Sequence, residues 1–318
     1  MTDFKNIENY ESDILNDIDK PSILGSYNET SLMSREERQF VNGIIRKLKP
    51  KKMLEVGVAS GSGSVLLLNA IKDIPEAHLY SIDYLEKWWI DNNKDIGFLV
   101  SEEFPELLEK WTIYRGGVAA KFLETIGGDI DVCMLDTMHM NPGEILDFLT
   151  ILPFMKKNGI LIIHDIQIHI YKENYVYNST CCNLLSSLRG KPFFPSLDIR
   201  NNGFPNIGAI ILDDNAKDYV INLLLSLTMR WNYQIKEEDH NYILKLLKNY
   251  YDESVYKQYE KIYEYNNIPN NISNDAIDNT NTTNKTITNI PNYIINLDCK
   301  FNRFIDSIAW WIPVKKWR

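Results

Sequence analysis

The segment Leu54–Ser64, LEVGVASGSGS, places three glycines and three serines directly behind a short apolar run. Small residues allow a backbone to turn tightly and to approach a ligand closely. A carboxylate, Glu55, stands two residues before the first glycine, Gly57. The segment predicts a turn from a buried strand into a helix, which is where ligands bind in open α/β sheets.

Short apolar runs alternate with helical stretches on both sides of this turn. The runs are KMLEVGV, HLYSID, WTIYRG, DVCMLD, GILIIHD and IGAIILDD. Strands that are apolar throughout, with helices between them, predict a sheet covered on both faces. Ahead of them, Ser34 and Glu37 form a capping-box pattern that predicts a helix ending near Pro50. The fold class predicted is α/β, with a doubly wound, mostly parallel, Rossmann-like sheet and helical additions at both ends.

The chain divides by composition into five segments. These are a polar lead-in (1–33), the α/β domain (34–213), a helical extension (214–265), a linker (266–292) and a tail (293–318). The extension predicts helices at about 215–229 and 237–265, and its tyrosine stripe favours packing, with a lid or a dimer face as the alternative. The linker has ten Asn and five Thr in 27 residues, a composition that indicates flexibility. The amphipathic, Trp-rich, basic tail suits a membrane interface, or packs back on the domain.

Charge and composition argue against several partners and compartments. A net charge of −9 and a pI near 5.2 argue against nucleic-acid binding. We expect no secretory signal from the acidic N-terminal residues, and no apolar run reaches the roughly 20 residues of a membrane span. The four cysteines have no C-x-x-C spacing and are expected to be reduced thiols. We therefore expect a cytoplasmic protein, with peripheral membrane contact through the tail and homo-oligomerisation left open.

The order of the glycines points to one kind of ligand. A dinucleotide site favours G-x-G-x-x-G, whereas this turn reads G-x-x-x-G-x-G behind Glu55. A carboxylate near a pyrophosphate would be repelled, while the same carboxylate suits an ammonium or sulfonium group. The turn therefore favours S-adenosylmethionine (SAM) over a dinucleotide, and an NAD-dependent oxidoreductase is disfavoured.

The pattern E-x-G-x-x-x-G-x-G after a first strand resembles motif I of the class I SAM-dependent methyltransferases. The resemblance implies that Asp83, at the end of the second apolar run, binds the ribose hydroxyls. It also implies that Gly117 and Val118, in RGGVAA, border the adenine. The cofactor-binding residues predicted in this way are Glu55, Gly57, Ser60, Gly61, Gly63, Ser64, Asp83, Gly117 and Val118.

Acidic residues and histidines follow the fourth and fifth apolar runs. Asp136 and His139 belong to LDTMH, and His164 and Asp165 belong to IIHDI. Two carboxylates at the ends of adjacent parallel strands can hold a hard divalent cation such as Mg²⁺, which would activate a hydroxyl. A nearby histidine could then take the proton. As alternatives, a strand-end Asp can cap a helix or form a turn, and the histidine can bind substrate or support the site from behind.

This arrangement resembles the metal-dependent sugar O-methyltransferases of macrolide and surface-glycan pathways, which have Asp-x-x-His after strand four and paired acids after strand five. The resemblance covers residues 34–213 and implies Asp136 and Asp165 as metal ligands and His139 as the general base. His164 stands where several relatives have an Asp. Because histidine is a poor Mg²⁺ ligand, the third contact is left to water, Glu144 or a backbone carbonyl.

The function expected is SAM-dependent, metal-assisted O-methylation of a sugar hydroxyl in bacterial cell-surface glycan or glycolipid biosynthesis. The acceptor would be a small-molecule or lipid-linked sugar, held by residues 167–206 and the Tyr-rich helices. Two alternatives remain. One is a methyltransferase of another small hydroxylated acceptor, such as a catechol, and the other is a non-catalytic SAM-binding scaffold.

Overall fold

The computed structural model describes residues 33–170, 179–195 and 205–267. The chain divides into two compact units, Met1–Ile268 and Pro269–Arg318, and every described residue belongs to the first. The predicted tail lies outside the described residues. So do the predicted lead-in and linker, apart from Met33, Asn266 and Asn267.

A seven-stranded sheet forms the centre of the described region. Its strands are β1 (Lys52–Val56), β2 (His78–Asp83), β3 (Trp111–Arg115), β4 (Ile130–Leu135), β5 (Met155–His164), β6 (Gly190–Phe193) and β7 (Ile207–Leu212). The strand order is β3-β2-β1-β4-β5-β7-β6. Strands β1 to β5 are parallel, and β7 runs antiparallel to both of its neighbours. The predicted doubly wound, mostly parallel, Rossmann-like sheet is confirmed.

Helices cover both faces of the sheet and extend the chain beyond it. They are α1 (Arg35–Leu48), α2 (Ser62–Ile71), α3 (Phe98–Glu103), α4 (Leu123–Ile126), α5 (Gly143–Ile151), α6 (Thr180–Ser187), α7 (Val220–Leu227), α8 (Glu237–Tyr250) and α9 (Glu253–Asn267). In the part of the chain that the structure describes, none of the helices has both the length and the apolar character that a membrane crossing requires.

Burial on both faces explains why the strands read as continuous apolar runs. In β4, Cys133 and Leu135 pack into one core cluster, and Val132 and Met134 pack into the other. All four side chains are at most 1% exposed. Because alternate residues of a strand point to opposite faces, a strand between two helical layers needs apolar residues at every position.

The helix predicted behind Ser34 is confirmed as α1. The Ser34 side chain accepts a hydrogen bond from the Glu37 backbone, and the Glu37 carboxylate accepts one from the Ser34 backbone. Phe40, Ile44 and Ile45 are fully buried against the sheet. The capping box thus fixes where α1 begins, and the apolar face of the helix fixes how it packs.

Two parts of the secondary structure differ from the sequence expectation. The stretch after β5 contains the helix α6 and the short edge strand β6, neither of which the sequence pattern predicted. The helix expected at 237–265 is two helices, α8 and α9. The chain is extended at Tyr251, whose hydroxyl donates to the carbonyl of Leu149 at 2.7 Å. This contact with α5 interrupts a pattern that is otherwise helical throughout.

The tyrosine stripe of the extension packs inward, as predicted. Tyr259 is fully buried, and Tyr256 and Tyr263 pack against the same core cluster. The ring of His240 stacks on Tyr263, with the ring centroids 3.6 Å apart. The stripe therefore joins α8 to α9.

Candidate active site

Three predicted site residues lie side by side at one edge of the sheet. In the parallel register, Val56 pairs with Ile82 on one side and with Leu135 on the other. Gly57, Asp83 and Asp136 each follow one of these paired residues. The carboxyl ends of β1, β2 and β4 therefore bring the glycine turn and two acids together, as the sequence predicted.

Close packing explains the first glycine of the turn. Gly57 has a φ of +93°, which side chains disfavour, and a Cβ built there would lie 1.9 Å from the carbonyl oxygen of Asp136. Its backbone N–H donates to Ile82 at 2.9 Å. Only a glycine allows the turn to pass this close to the end of β4.

Asp83 holds the turn in position. One carboxylate oxygen accepts hydrogen bonds from the backbone of Val58 and Ala59 at 2.9 and 3.0 Å, and the other accepts from Leu85 at 2.9 Å. Because a carboxylate has about four acceptor sites, capacity remains for a ligand hydroxyl. Asp83 therefore supports the turn and can also accept a hydrogen bond from a ligand.

A cavity of about 550 Å³ opens at this edge of the sheet. Its walls come from the turn, the ends of β2 and β4, the segment after β3, the helix α5 and residues 233–243. The volume falls within the roughly 300–1,000 Å³ range of small-molecule sites. The charged residues of the lining are Asp83, Asp136, Asp147, Asp239 and Lys236. The cavity is therefore acidic.

The predicted cofactor residues divide into two groups around this cavity. Gly57, Asp83, Gly117 and Val118 line it, whereas Glu55, Ser60, Gly61, Gly63 and Ser64 do not. The structure does not support the direct ligand contact predicted for Glu55. Its carboxylate is 2% exposed and lies beneath the turn, where it accepts hydrogen bonds from Ser64 at 2.6 Å and Ser81 at 2.7 Å. Burial raises the pKa of Glu55 to about 7 in spite of these hydrogen bonds.

Asp136, His139 and Asp165 form a cluster beside the cavity. The Nε2 atom of His139 lies 3.2 Å from Asp165 Oδ2 and 3.5 Å from Asp136 Oδ1. Ligand atoms of the three residues all lie within 4.8 Å of one another. Two carboxylates and one imidazole nitrogen at these distances are a suitable donor set for a divalent metal ion. Asp136 also lines the cavity, so the cluster and the cavity share a wall.

The imidazole ring of His139 lies between carboxylates on both sides. Its Nδ1 atom lies 3.2 Å from Glu144 Oε1, so that both ring nitrogens face carboxylates. Burial alone would lower the pKa of His139. The hydrogen bond to Glu144 and the charges of Asp136 and Asp165 outweigh burial and raise the pKa to about 9. A cation bound by Asp136 and Asp165 would offset this rise, so the base role of His139 stays a prediction.

A second histidine lies behind the cluster. His164 is fully buried, with Nδ1 3.3 Å from Asp136 Oδ1 and Nε2 3.6 Å from Glu37 Oε2. Burial opposes its charged form, but Asp136 and Asp165 raise its pKa well above the ordinary value. Asn206 donates to Asp165 at 2.6 Å. His164 therefore connects the capping residue of α1 to the carboxylates of the site.

Several residues of the site carried no recognisable sequence signal. Tyr233, Lys236, Asp239 and Ile243 line the cavity, although they lie more than 90 residues beyond Asp136 in a segment without a motif. Of the predicted acceptor region, residues 171–178 and 196–204 are outside the described part of the chain. No residue of the Tyr-rich helix α9 is among those that line the cavity.

Residues 54–166 match the model of a family described as a methyltransferase domain. The matched segment begins in β1 and ends just after β5, so it contains the turn, Asp83 and the Asp136–Asp165 cluster. The match covers about a third of the chain, and the prediction of a methyltransferase enzyme is confirmed. No curated protein sequence matches the chain significantly.

Several solved structures have a backbone fold similar to that of this chain. The SAH-bound methyltransferase PaMTH1 of Podospora anserina is 17% identical, with a TM-score of 0.48 over 65% of this chain and 92% of that chain. The O-methyltransferase TomG of Streptomyces achromogenes, in complex with SAM, is 12% identical, with a TM-score of 0.45 over 64% and 91%. An O-methyltransferase of Bacillus cereus in complex with SAH is 11% identical, with a TM-score of 0.45 over 63% and 91%. Likeness at this level assigns no substrate.

Proposed function

We propose that this chain is a class I SAM-dependent O-methyltransferase that methylates a sugar hydroxyl of a cell-surface glycan or glycolipid with the help of a divalent metal ion. The position of Asp136 is the observation that carries the proposal. Asp136 lines the cavity and belongs to the Asp136–His139–Asp165 cluster. A methyl donor in the cavity and an acceptor hydroxyl at the cluster would therefore be neighbours.

The charge of the cavity supports SAM as the donor. Asp83, Asp136 and Asp239 line it together with one lysine, Lys236, and a fourth aspartate, Asp147, adds less charge because burial raises its pKa to about 7. SAM carries a sulfonium and an ammonium group and no phosphate, so an acidic lining attracts it and repels a dinucleotide. Asp83, at the end of β2, is the residue we propose for the ribose hydroxyls.

The reaction is a direct displacement. The acceptor oxygen attacks the methyl carbon, an O–C bond forms, and the C–S bond breaks with its electron pair remaining on sulfur. The acceptor hydroxyl releases its proton to solvent water. A divalent ion held by Asp136 and Asp165 would lower the pKa of that hydroxyl and orient it. The protein aligns the two reactants, which is the larger part of catalysis for such a displacement.

An exposed aromatic residue at the cavity supports a sugar acceptor. Trp89 is 59% exposed and contributes to the lining, and Tyr84 and Leu85 beside it are also exposed. A flat apolar ring of this kind can cover the C–H face of a sugar while the hydroxyls stay in water. The basic, Trp-rich tail (293–318) would bring the enzyme to lipid-linked acceptors at a membrane.

Binding and transfer are tested separately. Calorimetry should detect binding of SAM and S-adenosylhomocysteine, and no binding of NAD⁺. Mass spectrometry of a panel of nucleotide sugars, lipid-linked sugars and catechols should then show addition of one methyl group to a sugar. A methylated catechol would support the alternative acceptor class. Binding of SAM without transfer to any acceptor would support the scaffold, and binding of NAD⁺ alone would refute the proposal.

Metal assistance is tested with matched variants. Asp136→Asn and Asp165→Asn should abolish transfer, and a chelator should do the same to the unmodified enzyme. Asp213→Asn is the control, because Asp213 also follows a strand of the sheet but is exposed and lies outside the cluster. Full transfer in the presence of chelator would show that no metal ion takes part.

A further inference from the structure

His139 is held from both sides of its ring. Glu144 Oε1 lies 3.2 Å from its Nδ1 atom and accepts a hydrogen bond from its backbone N–H at 2.7 Å. On the other side, its Nε2 atom faces Asp136 and Asp165. Glu144 is completely buried, and its second oxygen has no hydrogen-bond partner among the described residues. Glu144 thus fixes both the backbone and the ring of His139.

This arrangement determines which nitrogen can act. A carboxylate at Nδ1 keeps the proton there, so the lone pair of the neutral ring lies on Nε2. A histidine that binds a metal ion through one nitrogen commonly donates from the other to a carboxylate, which fixes the tautomer and the orientation of the ring. We infer that His139 is a third protein ligand of the metal ion, with Asp136 and Asp165, and that Glu144 is its positioning residue.

The donor set has a consequence for the choice of metal. Magnesium prefers oxygen ligands, whereas imidazole nitrogen favours later transition metals such as Co²⁺ or Zn²⁺. A site of two carboxylates and one imidazole therefore selects a transition metal more strongly than a site of carboxylates alone. The proton of the acceptor hydroxyl must then leave to a group other than His139, because Nε2 is bound to the ion.

The inference rests on the metal assistance in the proposed function, and it is tested by metal binding. The metal-free full-length protein is titrated with Co²⁺ and with Mg²⁺ by calorimetry, and the visible spectrum of bound Co²⁺ is recorded. His139→Gln places an amide oxygen, a hard donor, where the imidazole nitrogen lies. We expect Co²⁺ affinity to fall about tenfold or more, Mg²⁺ affinity to change much less, and the Co²⁺ spectrum to shift.

Glu144→Gln tests the positioning role. The substitution keeps the size of the side chain but weakens the hold on Nδ1, so we expect Co²⁺ affinity to fall by about tenfold, the low end of the range for such outer partners. The Co²⁺ spectrum should change in the same variant, which a purely structural role would not produce. His78→Asn is the control, since His78 bonds Thr112 at the opposite end of the sheet, and it should alter neither affinity nor spectrum.

Any of three results would overturn the inference. The first is equal loss of Co²⁺ and Mg²⁺ affinity in His139→Gln, and the second is an unchanged Co²⁺ spectrum in that variant. The third is a native protein that binds no metal, in which His139 bridges the two carboxylates as an ion pair. Methyl transfer is measured on the same samples. A chain that binds Co²⁺ through His139 but transfers no methyl group would refute the proposed function and leave the ligand assignment standing.

Discussion

Glu55→Gln should gain stability relative to the native protein as the pH rises. The Glu55 carboxylate is 2% exposed, and two serine hydroxyls donate to it. Burial raises its pKa from 4.5 to about 7 against the effect of those hydrogen bonds, and the charges of Asp136 and Asp83 add to the rise. The folded state therefore disfavours the charged carboxylate.

The sign and size of the effect follow from linkage. A pKa that is higher in the folded state contributes stability below the unfolded pKa of about 4.5, and this contribution is lost as the pH rises through 7. Since a tenfold change in acidity corresponds to about 1.4 kcal/mol, the loss is about 3 kcal/mol. Gln cannot ionise, so Glu55→Gln should escape that loss. Its extra N–H donor adds a cost of about 1–3 kcal/mol if it is unpaired, and this cost does not vary with pH.

The assay is urea unfolding of both proteins between pH 4.5 and pH 8. The difference in unfolding free energy between Glu55→Gln and the native protein should grow by about 3 kcal/mol across this range. Other titrating groups cancel in that difference. Glu76→Gln is the control. Glu76 pairs with Lys51 on the surface, and its pKa is lowered. The difference in unfolding free energy between Glu76→Gln and the native protein should therefore change weakly, and in the opposite direction, across this pH range. A flat profile for Glu55→Gln would refute the account of Glu55 as a buried, raised-pKa carboxyl.

Three further predictions concern the turn and the helical extension. Gly57→Ala should lower the melting temperature sharply and abolish SAM binding, because the new Cβ meets Asp136 at 1.9 Å, whereas Gly128→Ala, whose Cβ would lie no closer than 4.0 Å to its nearest neighbour, should do neither. Glu55→Gln should change SAM affinity by less than about threefold in calorimetry, since Glu55 does not line the cavity; a far larger loss would restore its direct contact with the ligand. Tyr251→Phe should cost about 1 kcal/mol in urea unfolding by removing the hydrogen bond to Leu149, while Tyr250→Phe should not.

The sheet was predictable where burial determines the sequence. Strands buried on both faces are mostly apolar, and β1, β4, the second half of β5 and β7 show this pattern, whereas β3 is only partly buried. The edge strand β6, GKPF, is short, half exposed and contains a proline, so no apolar pattern marks it. The break between α8 and α9 could not be predicted from the sequence either, because Tyr251 at the break contacts α5, a helix far away in the chain.

The site was predictable in its location but only partly in its roles. The carboxyl ends of parallel strands meet at one edge, so Asp83, Asp136 and Asp165 could be placed together from strand ends alone. The roles of Glu55 and His139 depend on which neighbours their side chains meet. Ser81 donates a hydrogen bond that holds the Glu55 carboxylate beneath the turn, and Glu144 contacts Nδ1 of His139 and so fixes the orientation of its ring. Neither neighbour belongs to the motif that pointed to the site.

The structure assigns the charge that selects the ligand to residues other than the one that the sequence favoured. The sequence favoured Glu55 as the group that attracts a cation and repels a pyrophosphate. A carboxyl with a pKa of about 7, buried beneath the turn, is a weak source of such charge at neutral pH. The aspartates that line the cavity, Asp83 and Asp136 at the strand ends with Asp239 on α8, face the ligand space directly. The preference for SAM therefore survives the reassignment of Glu55, because strand-end and helical carboxylates supply the charge that the glutamate does not.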